Sequence, residues 1–328
     1  MAGYIAHRLL WSIPTLIVIT IATFVIIQLP PGDYVTAYIA ELVETGEVID
    51  AETAAHIRHE FGLDRPMYEQ FLTWIGGILL HGDFGLSLDW KLPVSELIWD
   101  RIGLTLLISM LSLLMTWAIA IPIGVYSATR QYSFLDHLFT VLGFLGRGIP
   151  DFLLALVLMW MGFLYFNFHV GGLFSPAYEN APWSFAKFGD LLSHLWVPVL
   201  VLSTGGAAGL LRIMRANMLE ELGKPYVETA YAQGLSERQV VWRYPVRVAL
   251  NPFISTVGWA LPALISGDVI TAVVLNLPTT GPLLLRSLQN QDMYLAGGFI
   301  LILSVFTIIG TLLSDILLVL SDPRIRHS

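Results

Sequence analysis

The chain contains no cysteine. Disulfides, cysteine nucleophiles and thiolate metal sites are therefore excluded. Charge is also scarce: Asp, Glu, Lys and Arg make up 13% of 328 residues, hydrophobic residues make up 55%, and the mean hydropathy is +0.70. That balance places the chain among integral membrane proteins. No Gly-x4-Gly-Lys-Ser/Thr phosphate loop occurs, so ATP hydrolysis does not reside here. No Gly-x-Ser-x-Gly or His-Glu-x-x-His site is present, so an intramembrane protease would lack its catalytic groups. Internal repeats and low-complexity tracts are missing too. A secondary transporter, which needs its own coupling site and usually inverted repeats, has little support from this sequence.

What is present is a series of apolar runs. Six are long enough to cross a ~30 Å hydrocarbon core, which takes about 20 helical residues. They are Leu9–Leu29, Ile102–Val125, Leu138–Phe166, Leu195–Met214, Pro252–Leu277 and Tyr294–Leu320. None alternates with period two, which argues against a β-barrel. The third is long for one crossing and is expected to tilt or kink near Pro150. Pro122, Pro198 and Pro262 are further kink positions. The first run ends at Pro30-Pro31-Gly32-Asp33 rather than at a small-x-small cleavage site, so a retained helix is expected. The fold class is an all-α bundle of six membrane helices.

The placement of charge orients the bundle. Pro30 to Asp100 holds 13 of the 25 acidic residues, with only Arg58, Arg65 and Lys91 as basic ones. Arg212, Arg215, Lys224, Arg238, Arg243 and Arg247 lie between the fourth and fifth runs or at their edges. Arg8, Arg130, Arg324 and Arg326 fall on the same side of six crossings. Lys and Arg concentrate on cytoplasmic flanks, so both termini and this basic loop are expected inside. The resulting division is 1–29 for the N-terminus and first helix, and 30–101 for an external loop region. Residues 102–320 form a five-helix core with a cytoplasmic loop at 216–248, and 321–328 form a cytoplasmic tail. No nucleic-acid partner is expected.

Within the basic loop the sequence reads Gly223-Lys-Pro-Tyr-Val-Glu-Thr-Ala-Tyr-Ala-Gln-Gly234. Gly223 has the chemistry of a left-handed helix stop, and Pro225 suits a first helical turn. A short helix is expected from Pro225 to about Gln233, with Glu228 near its positive end. Gly234 stops it, and Ser236 with Gln239 has capping-box spacing for a further helix. Ala230 and Ala232 keep the bulk low. A short capped helix of this kind is suited to insertion into a groove on a partner.

Glu228-Thr229-Ala230 followed by Gly234 resembles the Glu-Ala-Ala loop of permease subunits of ABC importers. Thr229 replaces the first Ala of that pattern, and the downstream apolar-Leu-Pro element is reduced to Tyr244-Pro245-Val246. Phe61-Gly-Leu-Asp-Arg-Pro66, Trp74-Ile-Gly-Gly77, Gly82-Asp-Phe-Gly-Leu-Ser-Leu88 and Val94-Ser-Glu-Leu-Ile98 are similar to the first outer region of dipeptide/oligopeptide permeases. Thr229–Arg238 and the C-terminal Ser321-Asp-Pro-Arg-Ile-Arg326 extend the resemblance over essentially the whole chain. The resemblance implies a type I ABC importer permease fold, with a large external loop after helix 1, in a bacterial or archaeal cytoplasmic (inner) membrane. It implies a heterodimer with a second homologous permease, two ATPase subunits that use ATP, and an extracytoplasmic solute-binding protein. No cofactor is bound by the chain itself. Glu228, Thr229, Ala230 and Gly234 would position the helix that couples to the ATPase. Relatives in the family carry peptides, nickel, glutathione or oligosaccharides; peptide is the first expectation and oligosaccharide the second. One departure concerns substrate: the family often has a Glu six residues before a Trp-Pro-Gly-x-Gly-like turn, where this chain has Ala272 and Leu277-Pro278-Thr279-Thr280-Gly281.

Other polar positions admit two readings each. Arg147 and Asp151, four residues apart on one face of the third run, either line the pathway or form a structural ion pair near the boundary. Asp268, inside the fifth run, either lines a cavity for a polar solute or packs on a polar neighbour. Pro278, Thr279, Thr280 and Gly281 are candidates for binding-protein contact, or a simple loop. His56, His59 and Glu60 have the order His-x-x-His-Glu, which is not a zinc-protease motif, and a solvated helix face is the reading preferred over a metal site. Gly205-Gly206-Ala207-Ala208-Gly209 suits close helix contact, within the chain or with another subunit. The tryptophans cluster near run ends as interfacial anchors.

Overall fold

The structure is a computed structural model and describes residues 2–29, 34–36, 38–39, 50–60, 62–166, 171–179, 181–256 and 269–321. Among these, the regular elements are helices, apart from one isolated bridge between Leu86 and Pro93. In chain order they are α1 (Ala2–Gln28), α2 (Ala51–Glu60), α3 (Met67–His81), α4 (Val94–Thr129), α5 (Phe134–Gly148), α6 (Asp151–Phe166), α7 (Phe185–Leu222), α8 (Pro225–Ala232), α9 (Glu237–Arg243), α10 (Pro245–Ala249), α11 (Val269–Val274), α12 (Thr280–Gln289) and α13 (Met293–Ser321).

Among the described residues, four stretches are long and apolar enough to cross a membrane: Leu10–Gln28 of α1, α4, α7 and Met293–Leu317 of α13. The pair α5 and α6 reaches that length and apolarity only when taken together, and it is bent by 100° at the break between them. The fifth expected span, Pro252–Leu277, has its middle, residues 257–268 with Pro262, outside the described residues. The break falls at Pro150, as its chemistry demands. Proline has no N–H and drives the preceding residue out of the helical region. Ile149 accordingly sits at φ −90°, ψ 122°. The Pro150 carbonyl then accepts from Leu153 and Leu154 to open α6. Pro122 and Pro198, by contrast, sit inside α4 and α7 without ending them.

The chain divides into two compact units. The first comprises Met1–Leu104 and Thr279–Ile308. Its core joins Phe24 of α1, Trp74 of α3 and Met293 of α13, with Phe71, Ile78 and Leu301 against them. Phe24 lies 5.3 Å edge-on from Phe71 and 5.8 Å in a stacked pose from Trp74. Gly297 makes the approach of α13 possible, since a Cβ there would come within 3.1 Å of the Trp74 ring. The start of α13 is tied down by Asp292. Its carboxylate accepts from Ser87 Oγ at 2.5 Å, from Asp89 N at 3.2 Å and from Leu295 N at 3.2 Å. Burial raises the Asp292 pKa despite those donors. Arg286 of α12 pairs with Asp89 at 2.8 Å and covers the Trp90 ring at 5.0 Å.

The second unit comprises Thr105–Pro278 and Ile309–Ser328. Here α4 and α7 approach closely over small residues. A Cβ on Gly124 would stand 2.6 Å from Met214 Cβ, and one on Gly206 would stand 3.4 Å from Thr116. Thr116 Oγ1 donates to the Ser203 carbonyl at 3.3 Å. Thr105, Ser109, Ser112 and Thr116 form a buried polar stripe along α4 at helical spacing. Small and hydroxyl side chains are the usual glue of membrane helices. Apolar packing centres on Val125, Leu211, Met214, Met218, Val241, Val246 and Phe253. That cluster carries α9 and α10 onto α7 and α4.

Candidate functional site

The segment that follows α7 has the expected build. Helix α8 opens at Pro225 and ends at Ala232. Its sequence is short enough that propensity alone would not hold it, so packing must. Val227 and Ala230, three residues apart, are buried at 1% and 3% exposure against Val240 of α9, with Leu235 and Tyr244 alongside. Gln239 Oε1 accepts from Ser236 N at 3.1 Å and Ser236 Oγ at 2.9 Å, anchoring the start of α9. The outer surface of α8 is left to Tyr226, Glu228, Thr229 and Tyr231, all exposed.

The four residues anticipated in this segment take different parts. Glu228 is exposed in the first turn, where the helix dipole favours a carboxylate. Thr229 is exposed, and its hydroxyl donates to the Pro225 carbonyl at 3.0 Å, so its polar atom is satisfied within α8. Ala230 faces inward and fixes the separation of α8 from α9. Gly234 adopts φ +78° with nothing within 4 Å of a Cβ, so backbone conformation rather than space calls for glycine. Gly223 differs from expectation: its φ is −84°, so it ends α7 without a left-handed turn.

The entry to α8 is braced by charge. Lys224 Nζ meets Glu220 at 2.9 Å, and this carboxylate raises the lysine pKa. Tyr226 OH donates to Glu221, and burial together with that carboxylate pushes the phenol well above its ordinary value. Beyond α8, Leu235, Arg238, Gln239, Trp242 and Arg243 line an open recess of about 620 Å³. The segment thus offers a short helix exposed on one side beside a basic, aromatic concavity. No reactive constellation accompanies it among the described residues.

Sequence reasoning passed over one strong feature nearby. Asp136 of α5, 2% exposed, accepts from Arg215 Nε at 2.9 Å and Nη2 at 3.0 Å, and from Tyr132 N at 2.9 Å. The pair staples α5 to α7 about two turns before the end of α7. Its signals were Ser133 three residues before Asp136, an N-cap pattern that the structure uses at 3.2 Å, and an arginine at the edge of an apolar run.

Arg147 and Asp151 do not share one helical face, because the Pro150 break puts them on α5 and α6. Arg147 is exposed, and Asp151 is half-buried with its carboxylate close to Gly205, where a Cβ would come within 3.3 Å. Asp268 lies outside the described residues. Thr279 and Thr280 are buried at 7% and 2% exposure, Gly281 is buried and Pro278 half-buried. That turn therefore presents little surface of its own, and the exposed side chains of α12 after it are Leu285, Arg286, Leu288 and Gln289. Ala272 is buried in α11. His59 pairs with Asp64 at 2.8 Å, and no metal-holding cluster occurs among the described residues.

A polytopic all-α membrane chain that carries a short, half-exposed helix directly after a long span has the architecture of a transporter's membrane subunit. Residues 120–327 match the family described as the binding-protein-dependent transport system inner membrane component. Residues 1–110 match the N-terminal region of such membrane components. The chain belongs to this family, and its role is that of a permease subunit rather than an enzyme. It is 37% identical over 328 residues to the oligopeptide transport system permease protein AppB of Bacillus subtilis, covering 100% of both chains. It is 32% identical over 344 residues to the dipeptide transport system permease protein DppB of Escherichia coli K12, covering 100% of this chain and 99% of that one. Identity to the di/tripeptide transport system permease protein DppB of Pseudomonas aeruginosa is 31% over 340 residues, with 100% and 99% covered.

Proposed function

We propose that this chain forms half of the translocation pathway of an ATP-driven importer for short peptides, paired with a second homologous permease. Two ATPase subunits hydrolyse ATP on the cytoplasmic side, and a solute-binding protein delivers peptide on the other. Both termini lie in the cytoplasm of a bacterial or archaeal cell. Peptide as the solute class is supported by the names of the full-length relatives, which are oligopeptide, dipeptide and di/tripeptide permeases.

The observation that carries the coupling assignment is the two-sided build of α8. Its exposed side, with Glu228 and Thr229, is free to enter a groove on the ATPase, while Gly234 ends the helix. Its buried side, Val227 and Ala230, bears on Val240, and the next residue, Val241, belongs to the cluster around Met214 and Met218. A displacement of α8 is therefore passed by close-packed contacts to α7 and α4. Packed interiors transmit such displacement because they resist compression. Two arrangements of the pathway, biased by nucleotide on the partner subunits, suffice for alternating exposure. Arg147, Asp151 and Asp268 remain proposed pathway groups, each ionisable within an apolar run. Near the turn Pro278–Gly281, the exposed face of α12 is the proposed contact for the binding protein.

The test is transport by the assembled complex in proteoliposomes, with labelled di- and tripeptides and purified binding protein. Peptide uptake that depends on ATP, and stays coupled to hydrolysis only with an intact α8, is the expected result. Overpacking by Ala230→Leu should leave hydrolysis running while uptake falls. Peptide uptake without ATP, or full coupling in Ala230→Leu, would overturn the reading.

A further inference from the structure

Helix α3 falls in the stretch that the sequence assigns to an external loop, yet it is apolar on an exposed face as well as on its packed one. Its 15 residues reach about 22 Å at 1.5 Å per residue, too short for a ~30 Å hydrocarbon core. One face packs inward through Phe71, Trp74 and Ile78. The other carries Tyr68, Leu72 and Leu79, exposed at 64%, 62% and 77%, with Leu80 beside them at 79%. Those positions recur at i, i+4 and i+11, a single helical stripe. Contiguous apolar surface of this kind is a contact surface for something.

The packing of α3 fixes its depth. Trp74 stacks on Phe24 at 5.8 Å, and Phe24 lies inside the candidate span Leu10–Gln28. Trp74 and Phe71 also belong to one cluster with Met293 and Leu301 of α13, whose candidate span begins at Met293. The inward face of α3 thus rests on two membrane helices within their hydrocarbon-crossing lengths. Exposed apolar side chains also occur at the C-terminal end of α1, at Ile26 and at Leu29 just beyond it. An exposed apolar face at that depth is suited to acyl chains.

We propose that α3 is an interfacial membrane helix, with its Tyr68–Leu72–Leu79 stripe seated in the leaflet at the C-terminal end of α1. The polar groups at its ends, Glu69 and the exposed His81 and Asp83, remain at the headgroup level, as in helices that lie in a membrane plane. The external region is accordingly shorter than its count of residues implies. The inference rests on packing within one unit and holds whichever solute is carried.

The absence of cysteine gives a clean labelling background. Spin labels placed by Leu72→Cys, Leu79→Cys, Ile26→Cys and Asp83→Cys, in the assembled transporter in lipid nanodiscs, are read by collision with oxygen and with a water-soluble nickel chelate. Labels at 72 and 79 should show an oxygen-to-nickel ratio several-fold above that at 83 and close to that at 26. A water-like ratio at 72 and 79 would overturn the proposal. So would low collision with both reagents in the complex but free collision in the isolated chain, which would mean a protein partner covers the stripe. In the unsubstituted complex, a lipid carrying a diazirine in its acyl chain should crosslink within residues 68–80, and its failure to do so while labelling α1 would also refute the assignment.

Discussion

Substituting Gly234 separates two reasons for a glycine that usually coincide. The residue sits at φ +78°, and a Cβ added there meets no heavy atom within 4 Å. Steric bulk therefore predicts little consequence, while backbone conformation predicts a graded one. A left-handed residue other than glycine costs roughly 1–2 kcal/mol, least for Asn, and a β-branched side chain is the worst case. The strain falls on a turn held by few bonds: Gly234 N to the Tyr231 carbonyl at 2.9 Å, and Leu235 N to the Ala230 carbonyl at 3.4 Å. A cost of one or two kcal/mol changes a two-state ratio by about 5- to 30-fold. Peptide taken up per ATP hydrolysed, in the reconstituted complex, should then fall in the order wild type, Gly234→Asn, Gly234→Ala, Gly234→Val. The thermal stability of the membrane core should hardly move, because Gly234 is exposed and outside the cluster around Met214. Valine behaving like glycine, or Asn behaving worse than Ala, would refute the backbone argument and with it the assignment of this turn.

Asp136→Ala should destabilise the second unit by about 3 kcal/mol, the low end for breaking a buried pair, because the Arg215 side chain is still 26% exposed. Arg215→Ala added to it should cost much less than its effect alone, as measured by unfolding in detergent. Gly124→Ala should cost about 1–3 kcal/mol in unfolding in detergent, since its Cβ would stand 2.6 Å from Met214 Cβ, and Met214→Ala should relieve only the 2.7 Å contact with Cγ because alanine keeps the Cβ. Asp292 makes the first unit pH-dependent. Its pKa is raised in the folded state above the ordinary 3.8, so its contribution is full below that value and is lost as pH rises through the folded value. Asp292→Asn should flatten this slope in thermal melts run across the acid range.

What was legible in the sequence follows from how far each physical rule reaches. The break at Pro150, the bounds of α8 and the left-handed Gly234 come from residues acting on their own backbone, so a reading of neighbours suffices. Gly223 shows the limit of even that rule, because glycine permits a left-handed cap without imposing one. Arg147 and Asp151 failed as a helical pair because their spacing presumed a continuous helix, and Pro150, which lies between them, cancels it. The turn Pro278–Gly281 has surface chemistry but a buried position, and burial belongs to the whole fold. The staples that organise the units are more distant still. Asp136 finds Arg215 from 79 residues away, and Asp292 finds Ser87 from 205 away. No local pattern names such a partner, yet each buried carboxylate states a demand: at that depth it must be met by donors. The most useful extension of sequence reading for this chain is therefore to treat every acid beside an apolar run as half of an unknown pair. The glycines facing bulky side chains, such as Gly124 and Gly297, mark where helices approach closely enough to supply the other half.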